Sequence, residues 1–238
     1  MFIPLGDDNA TRRSTPVVVP ILIALNILGW FIQLNQGDPF TYGFSFVPAE
    51  ISRGRDLIGP IRLTQDHHPV SFFLYPSPRP LFTTVISAMF MHGSWGHLLG
   101  NMLYLWIFGD QIEDRLGRVR FLGFYLACGI AATAAHYFVD PGSPIPCLGA
   151  SGAIAGVLGA YIVTHPQNRV AVLFFRAILH IPAFVVLGVW FGMQVIGQFG
   201  SVVGSSSIVA YAAHLGGFIA GSLGIFVLRA RRRPLTGR

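Results

Sequence analysis

Four polar residues in this chain have the types and spacings that acyl-transfer chemistry uses: Ser151, His214, His97 and Asn101. A serine hydroxyl is a poor nucleophile until a neighbouring base takes its proton, and histidine titrates near neutrality, where that base must work. The oxyanion formed by attack on a carbonyl then needs donors. Asn101 can offer a side-chain amide, His97 a ring N–H, and a helix beginning at Ser151 its unpaired backbone N–H groups. No Asp or Glu lies near His214 in its apolar run, so a dyad is expected rather than a triad.

Each residue also has a plainer reading. A lone serine in an apolar helix usually packs or hydrogen-bonds between helices, and a lone His or Asn there is more often a structural partner. Convergence is what distinguishes the chemical reading, and it depends on the elements that carry the residues.

Those elements belong to a membrane. The 238 residues are 53% hydrophobic and only 11% charged, with a mean hydropathy of +0.59. A water-facing surface carries roughly 25% charged residues. Six apolar runs are expected as spans, at about 15–34, 94–109, 121–139, 151–165, 182–199 and 208–228. The run 81–91 is an earlier start open to the second span. Runs of this kind suit a bilayer, which asks for ~20 apolar residues per helix. The expected fold is therefore all-α and polytopic, with a six-transmembrane-helix bundle over 15–228, a long outer loop at 35–80, a tail at 1–14 and a basic tail at 229–238.

The formal charge is +6 and every basic residue is Arg. These arginines flank the apolar runs, so they speak for topology and against a nucleic-acid surface. Arg12, Arg13, Arg115, Arg118, Arg120, Arg169, Arg176 and the 229–233 cluster fall on one side if the spans alternate. That side is cytoplasmic by the positive-inside rule, which puts both termini there. The first run lacks a cleavage site and reads as an uncleaved span. Cys128 and Cys147 form no framework and read as packing residues.

The fourth span is short. Its 15 residues rise only ~22 Å against a hydrocarbon core of ~30 Å. With its inner end held by the polar 165–169 run, the loop before Ser151 must dip into the membrane, which backbone tolerates only when shielded or lining a wet cavity. His97 and Asn101, at i and i+4, share a helix face in the outer part of the second span. His214 lies two turns into the sixth. All four polar groups thus occupy one depth. Gly152 and Gly156 after the serine, and Gly217 and Gly221 after the histidine, form small-xxx-small faces that would let the two helices pack closely.

At these residues the chain resembles the rhomboid family of intramembrane serine proteases. The matching motifs are Gly149-Ala150-Ser151-Gly152, His97-Leu98-Leu99-Gly100-Asn101, and Ala213-His214-Leu215-Gly216-Gly217 followed by Gly221. Met91-His92-Gly93 and Glu113-Asp114-Arg115-Leu116-Gly117 also look typical, and the likeness covers roughly 81–228. It implies Ser151 as nucleophile, His214 as base, and His97, Asn101 and the Ser151 N–H on the oxyanion. It also implies a membrane-embedded hairpin in the first loop, and transmembrane segments of other proteins as substrates, entering between helices two and five. Two departures stand out. The family's Trp-Arg pair is missing from the first loop, and Ala155 stands where some members stack a Tyr on the histidine.

No cofactor is expected. His92 and His97 lack a third ligand at their depth, so no metal is expected either. Glu113 and Arg115 read as ties for the turn after the second span. The competing functions are a catalytically silent rhomboid-like binder of membrane proteins and a small transporter. Both dyad residues speak against the first, and the lack of internal repeats against the second. An all-Arg, minimal chain points to a bacterial plasma membrane; oligomeric state leaves no mark in the sequence.

Overall fold

A computed structural model describes residues 2–8, 12–65, 68–203 and 210–228. The chain opens with strand β1 (Phe2–Asp7) and helix α1 (Val18–Gln36). Short helices α2 (Asp38–Gly43) and α3 (Pro48–Arg53) and a hairpin of β2 (Gly59–Gln65) and β3 (His68–Leu74) occupy the long loop. Helical turns over Leu81–Phe90, centred on α4 (Thr84–Ser87), lead to α5 (Trp95–Leu116) and α6 (Arg118–Val139). After α7 (Ser151–Thr164) come the hairpin strands β4 (Arg169–Phe174) and β5 (Ala177–Pro182), then α8 (Ala183–Val203) and α9 (Tyr211–Val227).

Every expected span overlaps one of the long helices α1, α5, α6, α7, α8 or α9. α1 and α6 are long and apolar enough to cross a membrane, with mean hydropathies of 1.8 and 1.4. α7, α9 and the Ala183–Phe199 part of α8 are apolar but shorter. Residues 208 and 209 of the expected sixth span, and the basic tail, lie outside the described residues. The turns over 81–90 do not join α5, because Met91 is extended and Ser94 starts a new helix by accepting the His97 N–H at 3.1 Å.

α7 is the centre of the bundle. Every residue from Gly152 to Tyr161 is buried, and the helix packs on α5, α6 and α9. Its 14 residues rise only ~21 Å, so loops complete both ends. On the Ser151 side the loop is stapled to the first long loop by paired bonds, Phe46 N to Cys147 O at 2.9 Å and Cys147 N to Phe46 O at 2.7 Å. Gly149 N is tied to Ala88 O at 2.8 Å.

The opposite end holds a three-stranded sheet in a chain expected to be all-α. β1, inside the expected tail, pairs antiparallel with β4, which pairs with β5. Pro4 has no N–H to contribute, and the register shifts between Pro4 and Gly6. The β4–β5 turn places Phe175 at a φ of 53°, a conformation normally signalled by Asn or Gly. Phe-Arg at that turn concealed the hairpin. Glu113 is more specific than a turn tie: its carboxylate accepts the N–H groups of Val17, Val18 and Val19 at 2.7, 2.9 and 2.8 Å. A buried anion at a helix N-terminus answers both the free donors and the dipole. Arg12 pairs with Asp110 at 2.6 Å alongside.

β1 carries a titratable latch. Tyr161 OH donates to Asp7 Oδ2, and burial pushes the Asp7 carboxyl up to about 6, with nearby Asp110 adding to the rise. A carboxyl raised in the folded state favours docking while protonated. The stabilisation is fullest below the ordinary carboxylate range and is lost as pH rises through about 6. Amide protection factors in β1 are therefore expected to fall between about pH 4 and pH 7. In Asp7→Asn they should stay level, and an unchanged slope in that variant would remove the latch.

Candidate active site

Ser151 is the first residue of α7, where the chain turns out of the stapled loop. His214 lies one turn into α9. Their side chains meet: Ser151 Oγ and His214 Nε2 are 2.8 Å apart. The two helices reach this distance because glycine removes the intervening side chains. A Cβ on Gly221 would strike the carbonyl of Gly156, and one on Gly217 that of Gly152. Gly152 and Gly156 serve α6 more than α9. A Cβ on Gly152 would lie 2.6 Å from Ala132 Cβ, and one on Gly156 would lie 2.5 Å from Cys128 Sγ. So the serine-side glycines seat α6, and the histidine-side glycines seat α7. Cys128 is a packing residue in this contact.

His97 and Asn101 stand on the same face of α5, toward Gly149. Gly149 has a φ of +123°, and a Cβ there would come within 2.7 Å of His97 Nε2 and 3.6 Å of Asn101 Nδ2. Both side chains therefore press on the backbone two residues ahead of Ser151. Asn101 Nδ2 is 3.0 Å from His92 Nε2. An amide nitrogen only donates, so His92 accepts there and carries its ring proton on Nδ1. One N–H of Asn101 remains for a further acceptor. His92 is held in turn by Gln33, whose Oε1 accepts the His92 N–H and whose Nε2 donates to the His92 carbonyl, both at 2.9 Å.

These groups line a cavity of about 1020 Å³ that also includes Trp190. The first α7 bond, Ile154 N to Ala150 O at 3.0 Å, leaves the N–H groups of the preceding helical residues directed toward the loop end of that cavity. Acyl transfer needs this set: a hydroxyl against a ring nitrogen, donors from a second helix, and helix-terminal N–H groups. Among the described residues no three His, Cys, Asp or Glu side chains group as metal ligands do.

The structure thus brings together all four residues singled out in the sequence, and adds others. Gln194 of α8 places Oε1 2.7 Å from His214 Nδ1. Trp190, one turn earlier, sets its ring 5.9 Å from the imidazole at 40°. Gln33, Trp190 and Gln194 belong to none of the sequence motifs. The available signal was the amide group itself, since Gln33 and Gln194 interrupt apolar runs where an unpaired polar group is costly.

Comparison with known proteins identifies a family for this chain. A family profile described as Rhomboid domain matches residues 80–231. The chain is 32% identical over 167 residues to the mouse (Mus musculus) presenilin-associated rhomboid-like protein, mitochondrial, covering 68% of this chain and 43% of that protein. It is 34% identical over 154 residues to rhomboid protease GluP of Bacillus subtilis, covering 64% and 27% of the two chains. Against rhomboid protein 1, mitochondrial, of Saccharomyces cerevisiae it is 31% identical over 171 residues, covering 65% and 46%. The match thus spans less than half the length of each relative. Two of the three names carry the word mitochondrial, so the bacterial plasma membrane expected from the sequence gains no support from them. With the family profile covering more than half of the chain, this protein belongs to the rhomboid family of helical, polytopic integral membrane proteins.

Proposed function

We propose that this chain is an intramembrane serine endopeptidase that cleaves transmembrane segments of other membrane proteins through an acyl-enzyme on Ser151. The observation that carries the reading is the 2.8 Å contact of Ser151 Oγ with His214 Nε2, made inside a cavity among apolar helices. In this reading His214 takes the serine proton as Oγ attacks the scissile carbonyl. Negative charge moves to the carbonyl oxygen, where Asn101 Nδ2, a His97 ring N–H and the Ser151 backbone N–H receive it. His214 then gives its proton to the leaving amine. Water, activated by the same ring, releases the acyl group and restores the serine. The six long helices act as six spans, with both termini in the cytoplasm. The meeting of β1, the α5–α6 turn and the β4–β5 hairpin at one end supports this, since that end collects Arg12, Arg115, Arg118 and Arg169.

Purified protein in detergent should be labelled by a fluorophosphonate and should cut a transmembrane test substrate. Ser151→Ala is expected to abolish both. Cleavage or labelling that survives in this variant would overturn the assignment. A wild type that captures transmembrane segments yet neither labels nor cuts would instead be the silent binder.

A further inference from the structure

We propose that Gln194 is a positioning residue that sets the tautomer of His214 from α8, so that the base is ready only while α8 is seated on α9. The inference rests on the peptidase reading of Ser151 and His214.

Hydrogen-bond arithmetic makes the chain of groups directional. Gln194 Nε2 donates to the Trp190 carbonyl at 3.3 Å, and a carbonyl can only accept. The amide is thereby oriented with Oε1 toward His214, 2.7 Å from Nδ1. Rotating it would set Oε1 against the Trp190 carbonyl, acceptor to acceptor. Because Oε1 cannot donate, Nδ1 must carry the ring proton. Nε2 is then a free lone pair, and Ser151 Oγ donates to it across 2.8 Å. One continuous line runs from the Trp190 carbonyl through the amide and imidazole to the nucleophile. The opposite tautomer would put a proton on Nε2 and leave the serine without a base.

The same bond matters as charge develops. When His214 holds the serine proton, its Nδ1–H becomes a stronger donor, and Gln194 Oε1 is the acceptor in place. Gln194 is buried at 8% exposure, so little water competes for that role. It does for this histidine what a carboxylate does in a triad, with a dipole in place of a charge.

Gln194 is also on the least tied of the six long helices. α8 touches chiefly α9, and Val189, Met193 and Ile196 on its outer side are more than half exposed. Trp190 and Gln194, at i and i+4, share its inner face. Trp190 rests on both His214 and Phe218, whereas Ala155 has no ring to offer the histidine. One helix supplies the ring support and the acceptor together. A displacement of about 1 Å would break a bond of this length and release the tautomer.

The test uses the full-length protein in detergent, with histidine labelled in ¹⁵N. Wild-type His214 should show a protonated Nδ1 and an unprotonated Nε2. Gln194→Met keeps the side-chain length but has no acceptor oxygen. It should give a mixed tautomer and lower kcat by about 10- to 100-fold, with KM within about twofold. Gln194→Glu restores an acceptor, and should restore the Nδ1–H signature and most of kcat. An unchanged tautomer in Gln194→Met, or full kcat there, would overturn the proposal. If the wild type proves not to cleave at all, the peptidase reading fails by itself. The ¹⁵N signatures of the wild type and the two variants would still decide whether Gln194 sets the tautomer.

Discussion

Alanine in place of His214 lowers cleavage by about 10³-fold or more and leaves the bundle folded. The size follows from what the imidazole does. Its Nε2, the proposed base, lies 2.8 Å from Ser151 Oγ, and a serine hydroxyl left to water is almost wholly protonated at neutral pH. The proposed oxyanion donors on α5 and at the start of α7 remain in His214→Ala, so residual activity above background is expected. Fluorophosphonate labelling should slow in parallel, because it uses the same activated oxygen. Combining His214→Ala with Ser151→Ala should be no worse than Ser151→Ala alone, since the pair acts as a unit. The glycine contacts that join α7 to α9 do not involve the ring, so thermal unfolding should move by only a few degrees. Full activity in His214→Ala would dismiss the dyad.

Valine at Gly221 has the largest expected effect on the structure. A Cβ there meets backbone, with Gly156 Cα at 2.6 Å and its carbonyl closer still. Gly159 repeats the arrangement further along: a Cβ would lie 2.8 Å from Ser222 Oγ and 2.9 Å from the Phe218 carbonyl carbon. Side chains can rotate away from an added carbon, but helix backbone cannot. The helices must part, and the Ser222 Oγ bond to Gly159 O at 3.1 Å is strained with them. Overpacking usually costs ~1–3 kcal/mol, and a clash with backbone belongs at or above the top of that range. The expected fall in melting temperature is roughly 6–12 °C. Activity should be lost with it, because α7 carries Ser151 and α9 carries His214. Gly123→Ala is the matched control: nothing lies within 4 Å of its Cβ position, and alanine is the better helix former by ~1 kcal/mol. That variant should melt at or slightly above the wild type. A Gly221→Val protein as stable as the wild type would contradict the contact.

The two variants separate chemistry from architecture. His214→Ala removes a proton acceptor from an intact frame, whereas Gly221→Val opens the frame and removes the chemistry secondarily. Melting and labelling measured on both variants distinguish the two.

The sequence by itself determined the membrane class, the six long helices, and the four residues Ser151, His214, His97 and Asn101 that line one cavity. Each rests on a local quantity: apolar run length, arginine position, or spacing along one helix. The short run after Ser151 even carried the depth argument, because residue count converts directly into rise. Glycine spacing announced close packing, although not that Gly152 and Gly156 would seat α6 more than α9. Only the tertiary structure decided the rest. The β1–β4 pairing joins residues more than 150 positions apart, and the turn that shapes the β4–β5 hairpin is built from Phe175, a residue type that does not advertise a positive φ. The Glu113 cap on α1 depends on two helix ends converging. Likewise, no periodicity in α8 specifies its rotation, yet that rotation puts Gln194 on His214 and Trp190 beside its ring. A polar residue in an apolar helix reveals that it needs a partner; which partner it finds is set by how the helices dock, and docking is a property of the whole packed bundle.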